Sequence, residues 1–317
     1  MQRVREGRAI WIREVTVEQL GGEAIVDICH DRRLNVVLPQ VPWLSGPLGK
    51  TSYWEQHIRP MMSDAHALGL EVHPWIFFLD AGSIDNDESL MQVHKDGSLD
   101  ARLGCPANPE VVRRNVEKGI EVLENYDVDG LSLEDCFVYH NWKPEPDICY
   151  CTYCRKNAPE SPSERKAWLR RKLTDALAEV RREAKRVSPL IKISAAARSP
   201  YEAHSLVMSA DWKEWCRIGF LEFLAPMVYT KDLSDFRRRT KEAVSIGHEH
   251  STPVYAGVGA HWDTAYTTPD ELADQVSEAR ALGSDGLVFF HLGGVSKDQW
   301  DRIGVAFQTE AVPAYRE

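Results

Sequence analysis

Apolar strand-like runs alternate with amphipathic helical stretches eight times along the chain, which predicts an α/β fold of the (β/α)8 TIM-barrel class. Two further observations support this class. The strand runs, such as Asn35 to Val41 (NVVLPQV) and Phe223 to Tyr229 (FLAPMVY), are apolar on both faces, as in a parallel sheet covered on both sides. A length of 317 residues also suits one barrel, so residues 1–317 are read as a single domain with long loops after the third and fourth strands. No G-x-G-x-x-G follows a strand and no G-x-x-x-x-G-K-[ST] occurs, so dinucleotide and nucleotide folds lose their usual support.

Taken in order, Ala9 to Val15 is the first strand, and Val17 to Arg32 a helix with Ile25, Ile28 and Cys29 on one face. Asn35 to Val41 is the second strand; a Gly/Pro loop at Ser45 to Gly49 leads to a helix from Ser52 to Leu68, stopped by Gly69. Leu70 to Leu79 (LEVHPWIFFL) forms the third strand, and its loop runs to about Pro106. Asn108-Pro109-Glu110 supplies a cap, an N1 proline and a first-turn acid for a helix reaching Asn125. After the turn pair Asp129-Gly130, the fourth strand LSLE places Leu131 and Leu133 on one face and Ser132 and Glu134 on the other.

Helical periodicity from Ser163 to Val187 precedes a fifth strand at Ile191 to Ala196. A short helix at Asp211 to Cys216 leads to the sixth strand, Phe223 to Tyr229. Helix Leu233 to Ile246, strand Pro253 to Val258, helix Pro269 to Leu282, strand Gly286 to Leu292 and helix Ser296 to Phe307 complete the eightfold alternation.

Composition bounds the function. Hydrophobic residues at 43% suffice for a large core, while 27% charged residues and a mean hydropathy of -0.38 describe an ordinary globular chain. A net charge of -10 argues against a nucleic-acid groove. There is no run of 18 or more apolar residues and no secretory leader at the amino terminus, so no membrane contact is expected and a cytoplasmic location is. Whether the chain forms a homo-oligomer stays open.

In barrel enzymes the reacting groups project from the carboxyl ends of the strands. Side-chain parity there points Trp11 and Arg13, Gln40, His73 and Trp75, and Glu134 inward from the first four strands. Tyr229, His261 and His291 belong to the sixth, seventh and eighth, with Trp262 and Asp263 just beyond. Aromatic faces beside acids and hydrogen-bonding groups suit a carbohydrate. Glu134 stands out, because an inward carboxylate at a strand end is costly unless paired or used. Glycosidic cleavage wants two carboxyl groups, and Asp135 or Asp263 is favoured as the second over Glu14 and Asp80. Cys149, Cys151 and Cys154 form C-x-C-x-x-C, a spacing suited to one metal ion and short of one ligand.

The succession GRAIWIRE, RLNVVLPQV, PMMSDAHALGLEVHPWI, NPEVVRRNVEKGIEVLENYDVDGLSLED, FLAPMVY and GSDGLVFF resembles the glycosyl-hydrolase-like family 10 barrels over residues 8–292. Its most specific parts are His66, Gly69, Leu70, Glu71, His73 and Trp75, and Tyr126 to Gly130. The resemblance implies glycosidase activity, seen in members that act on peptidoglycan glycan strands among others. It also implies a catalytic acid at the end of strand four, commonly Asp and here Glu134. A second resemblance, of CPANP at Cys105 with the later C-x-C-x-x-C, is to the structural zinc cluster of family 42 β-galactosidases, and it implies Cys105 as the fourth ligand. Cys136 is an alternative ligand. The catalytic pair of that family has no counterpart here, since PVYAGVGAHWD offers no glutamate. The expectation is a glycoside hydrolase with a structural Zn2+. The alternatives are a zinc-dependent hydrolase, which a shell closed by four thiolates disfavours, and a non-catalytic carbohydrate-binding barrel.

Overall fold

The computed structural model describes residues 4–42, 51–134, 148–202, 206–262 and 265–315. A curled parallel sheet organises them. Its strands are β1 Gly7–Ile12, β2 Val36–Pro39, β3 Glu71–Val72, β4 Trp75–Phe77, β5 Gly130–Glu134, β6 Lys192–Arg198, β7 Phe223–Met227, β8 Tyr255–Gly259 and β9 Gly286–Phe290. The spatial order is β3-β2-β1-β9-β8-β7-β6-β5-β4, every pairing parallel. The two edge strands, β3 and β4, are consecutive in the chain, separated only by His73 and Pro74. The single third strand expected from LEVHPWIFFL is therefore split. Proline has no N–H to add to a ladder, which accounts for the break at Pro74.

Alternate residues face two different cores. Ala9, Trp11, Val36, Leu38, Trp75, Phe223, Ala225, Tyr255 and Val288 pack together on the inner face of the curl. Ile10, Ile12, Val37, Leu131, Leu133, Ile193, Leu224 and Phe289 pack outward among the helices. Burial on both faces explains why the strands read as continuous apolar runs. The helices run Glu14–Leu20, Gly22–Asp31, Arg59–Ala67, Pro109–Asn125, Pro162–Val187, Trp212–Arg217, Leu233–Glu249, Pro269–Ala281 and Lys297–Gly304. The first helical stretch breaks at Gly21, whose φ of 78° lies in the region that glycine enters freely. The helix-opening signals read from sequence hold: Asn108 accepts from Glu110 N–H, and Ser296 closes a capping box with Gln299.

The amino-terminal end of the sheet is closed by the carboxyl-terminal tail. Ala311–Val312 pairs in parallel with Val4–Arg5, and beyond it Ala314 joins the inner core. The Tyr255 hydroxyl donates to the Ala314 carbonyl at 2.8 Å and accepts from the Ala314 N–H at 2.9 Å. Phe223 stacks on Tyr255, ring centroids 4.2 Å apart.

The loop after β4 is ordered by hydrogen bonds. Asp80 caps the short helix Ala81–Ile84, and Met91–Val93 pairs antiparallel with Leu99–Gly104. Lys118 reaches from helix Pro109–Asn125 to the Gly82 carbonyl and to Asp85. Among the described residues no helix is long and apolar enough to cross a membrane.

Candidate functional site

At the carboxyl ends of the strands, inward-facing aromatic residues form a continuous patch. Tyr229 stacks on Phe290 with centroids 5.2 Å apart, and Trp11 meets both edge-on at 6.4 and 6.1 Å. Trp75 lies 6.4 Å from Phe290 and 5.5 Å from Phe77. Into this patch β5 delivers Glu134, which is only 4% exposed. Its backbone is fixed by the Phe77 register and by its carbonyl accepting from Phe78 N–H. Burial and the nearby Glu134 charge raise the Tyr229 phenol well above its ordinary value, against the opposite pull of Arg198 at the end of β6. Tyr229 therefore lies within electrostatic reach of both Glu134 and Arg198.

The indole N–H groups of Trp11 and Trp75 are buried and find no acceptor among the described residues. A buried tryptophan N–H ordinarily has one. Gln40 sits at the same end: its side chain accepts from Glu14 N–H at 3.2 Å, and its backbone bridges to Trp75.

A second group gathers where the chain leaves β8 and β9. Arg13, His261 and His291 line an open pocket of about 450 Å³ together with Tyr266 and the Gly293-Gly294 segment. His261 stacks on Tyr266 at 4.1 Å and lies 6.0 Å from the His291 ring. Burial, then the Arg13 and His261 charges, push the His291 pKa down to about 4. Phe290, 5.0 Å from His291, connects this pocket to the aromatic patch.

Of the residues singled out in the sequence, Arg13, Gln40, Glu134, Trp75, Tyr229, His261 and His291 all stand at this end of the sheet. His73 does not. It lies at the amino-terminal end, fully buried, with Nε2 2.9 Å from Glu71 and 3.4 Å from the Tyr315 hydroxyl. Parity gave its direction but not its height, and Pro74 separates it from Trp75. Asp135, Asp263 and Cys136 lie outside the described residues, and Trp262 is described in its backbone alone. Asp80 is engaged as a helix cap, its carboxylate accepting from Gly82 N–H at 2.7 Å. Phe77, Phe290 and Arg198 were missed. The two phenylalanines share strand faces with Trp75 and Val288, so parity alone could have found them.

Cys105, Cys149, Cys151 and Cys154 come together, all buried, with their sulfurs within 4.8 Å of one another. Cys105 and Cys154 are 3.4 Å apart. A tetrahedral ion with sulfur ligands at about 2.3 Å would space them by about 3.8 Å, so the set fits a metal ion with slight adjustment. Cys105 follows the β4 loop and the other three precede helix Pro162–Val187. Backbone pairing joins the two segments: Tyr150 N–H donates to the Val93 carbonyl, and His94 bridges to Ile148. Cys149 Sγ accepts from the N–H groups of Val93 and Cys151 at 3.5 Å, and Arg165 donates to the Cys149 carbonyl at 3.0 Å. Hydrogen bonding from Cys105 draws the Cys151 thiol strongly down, while its bonds to Cys149 and the others drive Cys105 up. The cluster packs in the outer core, among the helices.

The model of the Glycosyl hydrolase-like 10 family matches residues 50–259, about two-thirds of the chain. The chain belongs to this family. No curated protein matches it in sequence. Among solved structures, it is similar to an α-L-fucosidase isoenzyme 2 from Paenibacillus thiaminolyticus, at a TM-score of 0.67 and 14% identity over 95% of this chain and 49% of that one. It is also similar to the glycoside hydrolase domain of PgaB (BpsB) from Bordetella bronchiseptica, at a TM-score of 0.64 and 14% identity over 95% and 97%. A β-galactosidase from Halorubrum lacusprofundi gives a TM-score of 0.65 and 12% identity over 95% and 57%. The chain thus spans about half the length of the fucosidase and the β-galactosidase. At these identities the likeness shows a shared fold, that of glycoside hydrolases.

Proposed function

We propose that the chain is a glycosidase, folded as one (β/α)8 catalytic domain, that cleaves an oligosaccharide or polysaccharide at the carboxyl-terminal mouth of the barrel. Closure of the barrel is supported by the order of the sheet, whose two edges are adjacent in the chain, and by the parallel bridge from Gln40, just past β2, to Trp75 of β4. The observation that carries the function is Glu134, a buried carboxylate at a strand end among Trp75, Phe77, Tyr229 and Phe290. Rings of this kind stack on the C–H faces of a sugar, and the orphan Trp11 and Trp75 N–H groups are donors that a ligand hydroxyl would satisfy.

In this reading Glu134 is one of two carboxyl groups and gives its proton to the glycosidic oxygen as the bond from that oxygen to C1 breaks. The second carboxylate either accepts a proton from the attacking water or bonds to C1 itself, and Asp135 and Asp263 are its candidates. Arg13, Gln40, Tyr229, His261, Trp262 and His291 would position the sugar.

Cys105, Cys149, Cys151 and Cys154 would hold a structural Zn2+. Four thiolates close its shell, so it would supply rigidity to the two loops and no catalytic chemistry. Buried free thiols and a thiolate zinc site both favour a reducing compartment such as the cytoplasm.

The test is turnover of a panel of aryl glycosides and natural glycans by the wild-type protein and Glu134→Gln. Loss of a general acid should cost roughly 10²–10⁴-fold in kcat with the circular-dichroism spectrum unchanged. Retention of glycans without cleavage of any would replace this reading by a carbohydrate-binding barrel.

A further inference from the structure

The pocket beyond β8 and β9 has a chemistry that the aromatic patch lacks. Its described lining contains Arg13, His261 and His291 and no carboxylate, in a chain whose net charge is -10. Arg13 is exposed, and no described residue forms an ion pair or hydrogen bond with its side chain. His291 is 8% exposed, and its Nδ1 has no partner among the described residues. Gly293 and Gly294 bring backbone close to it. A Cβ on Gly294 would fall 2.9 Å from His261 Cβ and 3.4 Å from His291 Nε2, and one on Gly293 would fall 2.6 Å from Thr16 Oγ1. Only glycines let this segment pack against both histidines.

Two histidines can also suggest a cation. Here Arg13 opposes it: burial first and the Arg13 charge second lower the His291 pKa, and that same charge would repel a metal ion. An anion reverses that sign, since it pairs with Arg13 and accepts from imidazole N–H. The position matches a general property of barrels, in which the loops after the seventh and eighth strands frequently bind phosphate groups.

We propose that this pocket is an oxyanion subsite, which takes a carboxylate or phosphate group carried by the sugar next to the one at Glu134. Arg13 supplies the bidentate contact and His291 a hydrogen bond, so the preferred substrate is an acidic rather than a neutral glycan. The identity of the carrier as a sugar rests on the glycosidase reading. The anion-binding chemistry does not.

The experiment separates the two by measuring binding in the Glu134→Gln protein, which needs no turnover. Glucose, glucuronate, glucose 6-phosphate and inorganic phosphate are titrated while the imidazole resonances of His261 and His291 are followed by NMR. Glucuronate or glucose 6-phosphate is expected to bind at least tenfold more tightly than glucose and to shift the His291 signals. Arg13→Ala should abolish that advantage and Arg13→Lys should restore part of it. His291→Gln should reduce it independently. If inorganic phosphate binds as well as glucose 6-phosphate, the oxyanion subsite stands but its occupant is a free anion, and the acidic-glycan assignment falls. If no anionic probe exceeds glucose, or Arg13→Ala keeps the advantage, the subsite itself is overturned, whatever the outcome for glycan cleavage.

Discussion

Glu71 shows how a residue with an enzyme-like environment can serve stability. Its carboxylate accepts from the Tyr315 hydroxyl at 2.5 Å, lies 2.9 Å from His73 Nε2 and pairs with Lys192 at 3.4 Å. Burial alone would raise its pKa, but His73, Tyr315 and Lys192 together hold it down to about 2, against an ordinary 4.5. A depressed carboxylate contributes stability that is fully present above the unfolded value and is lost as pH falls through 4.5 toward 2. Glu71→Gln should therefore cost on the order of 2 kcal/mol near pH 7 by urea unfolding, and the gap from wild type should narrow below about pH 4. A gap independent of pH would mean that packing, not charge, explains the loss. Sequence reading put His73 with the site because strand parity gives the face of a side chain. Height along the strand is set by where pairing starts and by the break at Pro74, which a single sequence does not display.

At the scale of elements, the legible parts were those with local causes. Caps at Asn108 and Ser296, the strand ending in Glu134 and the C-x-C-x-x-C spacing are all read within a few residues. Cys105 is different, being 44 residues before Cys149, and only a family resemblance joined it to the cluster. The structure supplies the physical link, through the pairing of Val93 and His94 with residues 148–150. Protein purified without added metal should carry about one zinc per chain, read by elemental analysis, and Cys151→Ser should lower that content. Removing the metal by a strong chelator at neutral pH should lower the unfolding midpoint, because thiolate ligation is linked to folding. A metal-free protein with an unchanged midpoint would count against a structural ion. Cleavage of glycans should survive in proportion to the folded fraction, as a closed thiolate shell offers no position for water or a sugar oxygen.

At the scale of the whole molecule, the two ends of the sheet are built from different groups. The carboxyl-terminal end gathers Glu134, the aromatic patch and the Arg13 pocket. The amino-terminal end is filled by Tyr255, Phe223, His73 and the tail through Ala314 and Tyr315. Eightfold alternation was visible in the sequence because burial on both faces leaves an apolar pattern. The tail was not, since Glu310 to Tyr315 has no periodicity and its place depends on a cavity that only the assembled strands create. Gly7 makes room for it indirectly: a Cβ there would fall 2.0 Å from the Tyr255 ring. The division predicts the outcome of Tyr255→Phe. Removing the hydroxyl leaves the buried Ala314 N–H and carbonyl without their partner, a loss of about 1–3 kcal/mol. In a domain of this size that corresponds to a fall in Tm of a few degrees by calorimetry, on the order of 1–2 °C per kcal/mol. Because Tyr255 lies at the end opposite Glu134, KM for any cleaved glycan should stay at the wild-type value in the folded protein. A changed KM with an unchanged Tm would mean that the tail end communicates with the mouth, and the separation of roles between the two ends of the sheet would have to be abandoned.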